Sequence, residues 1–175
     1  RHSRLKMPRA LFDILENHTL DEDSCFLCGI RLTEENRSDE HVFPQWLQHK
    51  FDLWDQTLNL LNGTTIPYRQ LCIPCCRACN NEHLSGLEGR IASSIFEPLG
   101  SERSPSTHDL FLWVGKILFG IIYREVLLPL NRADPTSSSI VDRTVIQNFR
   151  MLHFFLQSAR IPMKFHCQNT AFPAS

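Results

Sequence analysis

Two groups of closely spaced cysteines constrain this chain more than any other feature. Six of its seven cysteines fall in them: Cys25 and Cys28, then the run Cys72, Cys75, Cys76 and Cys79. A Cys-x-x-Cys turn presents two sulfurs to one ion, and two such turns complete a tetrahedral four-thiolate zinc site. A disulfide framework would scatter its cysteines and accompany secretion. No apolar signal-type segment follows the basic start, so the thiols read as a metal site in a reducing, cytoplasmic compartment. Cys72/Cys75 and Cys76/Cys79 both have the spacing of a second pair. Cys76/Cys79 is favoured because Cys79 directly precedes Asn80, where a helix is expected to begin. Cys72 and Cys75 then fall back along a strand as buried thiols. Cys167 stands alone near the C-terminal end.

The rest of the chain suits a small folded unit with a helical extension. It has 175 residues, of which 42% are hydrophobic and 21% charged, which argues against wholesale disorder. A net charge of -1 excludes nucleic-acid binding by overall charge, so any such contact must come from a local patch. Arg1, Arg4, Lys6 and Arg9 form one basic run, read either as a solvated terminus or as a phosphate-gripping arm.

Apolar spacing predicts a helix over 7–17, with Leu11, Ile14 and Leu15 on one face, within an N-terminal lead of residues 1–23. A short helix is expected over 51–61 with Trp54, Leu58 and Leu61 inward. A turn follows at Asn62-Gly63, then a strand over 64–71 and a helix over 80–95. A Pro/Ser/Gly linker over 98–107 separates the core, residues 24–97, from a helical region, residues 107–175. Two helices are expected there, over 107–129 with Thr107 as N-cap, and over 140–159. The stretch 110–130 is the most lipid-like, but Lys116, Arg124 and Glu125 interrupt it. It reads as a buried helix, with no membrane span. Leu110, Trp113, Ile117, Ile121, Phe149, Leu152 and Phe155 must be covered by the core or by a second copy, giving a homodimer or larger assembly.

Between the cysteine pairs stands Glu40-His41, and after the last cysteine stand Asn80 and His83. Three residues apart on a helix, Asn80 and His83 share a face. Phosphodiester hydrolysis needs a deprotonated water, which a histidine can generate, and a cation to offset phosphate charge. A carboxylate, an amide oxygen and an imidazole can hold that cation.

The order Cys25, Cys28, then Glu40-His41 with Pro44, then Cys76, Cys79, Asn80 and His83 resembles the HNH endonuclease family. The resemblance covers about residues 24–95. It implies an α+β fold containing a ββα-metal finger with a structural zinc, joined to a mainly helical C-terminal region. It implies His41 as general base, and Glu40, Asn80 and His83 as ligands of a catalytic Mg2+, Mn2+ or other divalent ion. It also implies DNA, rather than RNA, as substrate. A further asparagine is expected to brace the loop, with Asn59 and Asn62 as candidates. The stretch from His41 to Asn80 is longer than in compact members, with 47–63 inserted. A non-catalytic zinc module binding nucleic acid or protein is the alternative. A zinc deaminase is excluded by the absence of any His-x-Glu.

Overall fold

The computed structural model describes residues 11–15, 20–98, 100–131, 133, 134, 136–142 and 144–161. The basic run Arg1–Arg9 and Cys167 lie outside them. The chain is mixed α and β, with two small two-stranded sheets among helices. The first cysteine turn is closed by the Cys25 N–H donating to Ile30 O and the Gly29 N–H donating to Cys25 O. Gly29 has φ +71°, and a Cβ there would also run into the Phe12 ring.

Strand β1 (Glu40–His41) is followed by α1 (Gln45–Lys50), β2 (Thr57–Asn59), β3 (Thr65–Pro67) and β4 (Cys72–Ile73). β1 pairs antiparallel with β4, placing Glu40 opposite Ile73 and His41 opposite Cys72. β2 pairs with β3 across the Asn62-Gly63 turn, where Gly63 has φ +75°. A π-helical segment, Ala78–Leu84, leads into α2 (Ser85–Ser94). The remaining helices are α3 (Thr107–Leu127), α4 (Val145–Asn148) and α5 (Arg150–Leu156).

Several elements differ from the sequence pattern. No helix forms over 51–61; α1, at 45–50, precedes that stretch and is a helix the apolar pattern did not place. Asp52, at φ +54°, follows it, and the Thr57–Asn59 backbone is taken into the β2/β3 ladder. Leu61 is consequently exposed rather than inward. Of the helix expected over 7–17, the described residues 11–15 turn instead. The Asp13 carboxylate caps the Leu15 N–H, and the Gln157 amide clasps both the N–H and the C=O of Phe12. The cap of α3 is Ser106, not Thr107: its hydroxyl accepts from the Asp109 N–H at 3.0 Å. The helix expected over 140–159 is broken. Asp142 accepts from the Thr144 N–H at 2.7 Å, and Phe149, with ψ 9°, separates α4 from α5.

Helix α3 organises the packing. Its Gly120 lets β1 and β4 approach, since a Cβ there would lie 3.0 Å from Val42 and 3.4 Å from Ile73. Phe119 and Tyr123 pack on Phe26 inside the first cysteine turn, and the Tyr123 hydroxyl donates to Asp21 O. Glu125 accepts from the Leu61 N–H at the hairpin tip. Leu112, Trp113, Phe119, Tyr123 and Val126 are buried, whereas Phe111, Val114 and Leu118 are exposed along an apolar groove against α5. Among the described residues, no helix is long and apolar enough to cross a membrane.

His153 on α5 is fully buried against Phe119, and its Nε2 lies 2.7 Å from Phe26 O. Burial pushes its pKa down from 6.5 to about 4, against the opposing pull of that hydrogen bond. The folded state therefore holds it neutral, while the unfolded chain takes up a proton. Its contribution is present above pH 6.5 and lost as pH falls towards 4, to a total of about 3 kcal/mol. Urea melts across that range should show this loss in the wild type and a flatter profile in His153→Gln, which keeps a donor but cannot titrate.

Candidate functional site

The sulfurs of Cys25, Cys28, Cys76 and Cys79 all lie within 4.8 Å of one another, and all four residues are buried. Cys28 and Cys76, 48 positions apart in sequence, are 3.8 Å apart at sulfur. The Phe26 N–H donates to Pro74 O and so joins the two cysteine segments, while Ser38 N–H to Cys75 O and Arg77 N–H to Asn36 O tie residues 36–38 to the second one. Hydrogen bonding to Cys25 and burial push the thiols of Cys28 and Cys79 well up. Four such thiols do not ionise together without a cation, and this donor set could hold a metal such as zinc. Cys72 is not in the group; its thiol donates to Arg69 O. Cys75 is fully buried, 3.9 Å from the Cys25 sulfur, and burial raises its pKa well above the ordinary thiol value.

Beside this cluster opens a pocket of about 360 Å³, lined by residues that include Ser38, Asp39, Glu40, His41, Gln45, Asn80 and Glu88. β1 delivers Glu40 and His41, the π segment delivers Asn80, and α2 delivers Glu88. Asn80 ties the Ser38–Asp39 backbone to the π segment: its Nδ2 donates to Ser38 Oγ and Asp39 O at 3.1 Å each and to Ser38 O at 3.3 Å. Asn59 and Asn62, the candidates for bracing the loop, make their hydrogen bonds elsewhere. Asn59 accepts from Thr65, and Asn62 bonds Thr64 and Pro129, both at the hairpin.

His41 is half-buried, its ring stacked near Trp54 and its Nδ1 at 3.5 Å from the Gln45 amide. Burial and then the Lys116 charge lower its pKa, favouring the neutral imidazole that a base requires. His83 does not line the pocket. The wider i→i+5 turn of the π segment removes the shared face that α-helical spacing predicts for Asn80 and His83. His83 instead feels burial first and then the charges of Glu82 and Arg160.

Two residues of this centre escaped the sequence reading. Lys116, from α3, is 1% exposed. Its ammonium donates to Glu40 Oε1 at 2.5 Å, to Glu88 Oε1 at 2.5 Å and to His41 O at 3.1 Å. Burial pulls its pKa down, but the two carboxylates outweigh that and hold it above the ordinary lysine value. Glu40 is raised, first by burial and then by the neighbouring Glu88 charge, with Lys116 opposing. The signal was present: a lysine within the apolar stretch 110–123 is rarely buried unless paired. The helical region therefore contributes directly to the centre and is not packing alone.

Among the described residues, the four cysteines are the one group of three or more His, Cys, Asp or Glu whose ligand atoms converge for an ion. No protein-family model, curated protein or solved structure matches the chain.

Strong chelation should strip a metal from the wild type and lower its melting temperature, because the thiols close a long loop with little core of its own. Cys79→Ser should lose metal, while Cys72→Ser should retain it, as read by elemental analysis and thermal melts.

Proposed function

We propose that this chain is an HNH-type endonuclease that hydrolyses phosphodiester bonds in DNA, built on a ββα finger with a structural zinc. The observation that carries this reading is the convergence of Glu40, His41 and Asn80 on one pocket. Two of its walls are tied to the second cysteine segment, by the Ser38 N–H donating to Cys75 O and by the Asn80 N–H donating to Cys76 O. The antiparallel β1/β4 pair followed by the helical segment from Ala78 supports that reading, with α1 and the β2/β3 hairpin lying between the two strands.

The chain's own residues divide the work. His41, kept neutral by its surroundings, accepts the proton of the attacking water. Asn80 fixes the Ser38–Asp39 backbone from which Glu40 and His41 follow. Asp39, Glu40 and Glu88 give the pocket an acidic lining that repels phosphate, so a cation has to be present before substrate enters. Glu40 and the Asn80 amide oxygen suit a hard divalent ion such as Mg2+ or Mn2+, whereas His83 does not fit that ligand set. Such an ion, when bound, supplies Lewis-acid stabilisation of the phosphate and of the leaving oxygen.

A second reading, a non-catalytic zinc module, is favoured by one observation: Lys116 already engages the Glu40 carboxylate. Plasmid nicking across a divalent-metal titration separates the two. His41→Ala should lose about 100- to 10,000-fold of the cleavage rate, with zinc content unchanged and no rescue by excess metal. Glu40→Gln and Asn80→Ala should be partly rescued by raised Mn2+. Wild-type cutting by His41→Ala would refute the mechanism, and the absence of cutting by the wild type on any DNA would favour the zinc module.

A further inference from the structure

The apolar groove between α3 and α5, the polar hollow near Pro129 and the Lys116 cluster are the features outside the predicted site residues. The cluster carries an inference. An ammonium has three donors and no acceptor. All three N–H groups of Lys116 have a partner: Glu40 Oε1, Glu88 Oε1 and His41 O. These acceptors come from β1 and α2, while the lysine comes from α3, so one nitrogen fixes three elements relative to each other. β1 is two residues long and has only two paired positions on β4. Such a ladder leaves the direction of its side chains weakly set. Lys116 holds the side chain of the first residue and the carbonyl of the second.

We infer that Lys116 is a positioning residue of the site, setting the His41 ring and the Glu40 carboxylate towards the pocket through these three bonds. Its effect on cleavage rests on the nuclease reading; its effect on the geometry of His41 does not. Arginine tests this well, because it keeps the charge but carries a planar fork in place of a compact ammonium. It cannot direct its donors to three acceptors that converge on one point.

The test uses the full zinc-loaded chain as wild type, Lys116→Arg and Lys116→Met. Imidazole 13C–1H correlation spectra are recorded beside nicking rates. In Lys116→Arg the His41 cross-peak should shift and broaden while that of buried His153 holds, with zinc content unchanged. The kcat for nicking should fall on the order of 100-fold with KM held, the scale expected of a displaced reacting group. A wild-type His41 cross-peak in Lys116→Arg overturns the inference. So does a joint shift of His41 and His153, which would mark general loosening of α3. Lys116→Met should move His41 at least as far; if it fails to fold, Lys116→Arg decides alone. If the wild type cuts no DNA, the nuclease reading fails, and the His41 spectrum still decides the role of Lys116.

Discussion

The four-thiol cluster is the constraint on which the rest depends. It draws together two turns separated by 48 positions and so closes a loop containing β1, α1, the hairpin and β4. Closing a loop of that length costs several kcal/mol of chain entropy, and the cost grows only slowly with length. That weak dependence lets the β2/β3 hairpin occupy the loop without disturbing its ends. The elements at those ends could not hold themselves. Two paired positions between β1 and β4 are far below what an isolated sheet needs. The cysteine turns fix the ends, and Gly120 of α3 lets a helix lie directly on the ladder.

Lys116 answers a different problem. The cysteines place β1 and the π segment side by side, but they do not say which way Glu40 faces. Left alone, a buried carboxylate would neutralise or turn to water. A lysine without exposure costs as much. Together with Glu88 the two become mutually tolerable, and the arrangement is unforgiving of displacement because each charge is satisfied only by the others. Such networks add little net stability but admit few alternative geometries. Here the network holds Glu40 and His41 on one small pocket.

The cysteine pairs, the Asn62-Gly63 turn, the linker and the extent of α3 were legible because each rests on local chemistry: thiol spacing, a glycine turn and helical periodicity. The choice of Cys76 and Cys79 over Cys72 and Cys75 came from their position before the helix, and the cluster has that membership. What was not legible is non-local. Glu40 and Lys116 are 76 positions apart, and no spacing rule joins them. The π segment broke the i, i+3 argument for His83, because periodicity assumes α geometry. The tie from Asn80 to Ser38 was likewise not legible, because it joins residues 42 positions apart. The helix expected over 51–61 is absent because strand pairing over 57–59 overrode a helical pattern of apolar residues.

The electrostatics of the pocket bear on the proposed engagement of an anionic substrate. The net charge is -1, and Asp39, Glu40 and Glu88 line the cavity beside His41. Asp39 is paired with Arg37 at 3.0 Å, and buried Lys116, which does not itself line the cavity, has no donor left for a phosphate, since all three are committed to protein oxygens. It therefore lowers the local negative charge without offering a binding group. An anionic backbone brought to such a pocket would meet net repulsion, so affinity has to come from contacts elsewhere on the surface or from a cation recruited to the pocket. An acidic lining with its own lysine fully occupied is poorly suited to gripping phosphate directly. On the reading proposed above, a small hard cation would have to stand between this lining and the substrate, and it would have to compete with Lys116 for the Glu40 carboxylate.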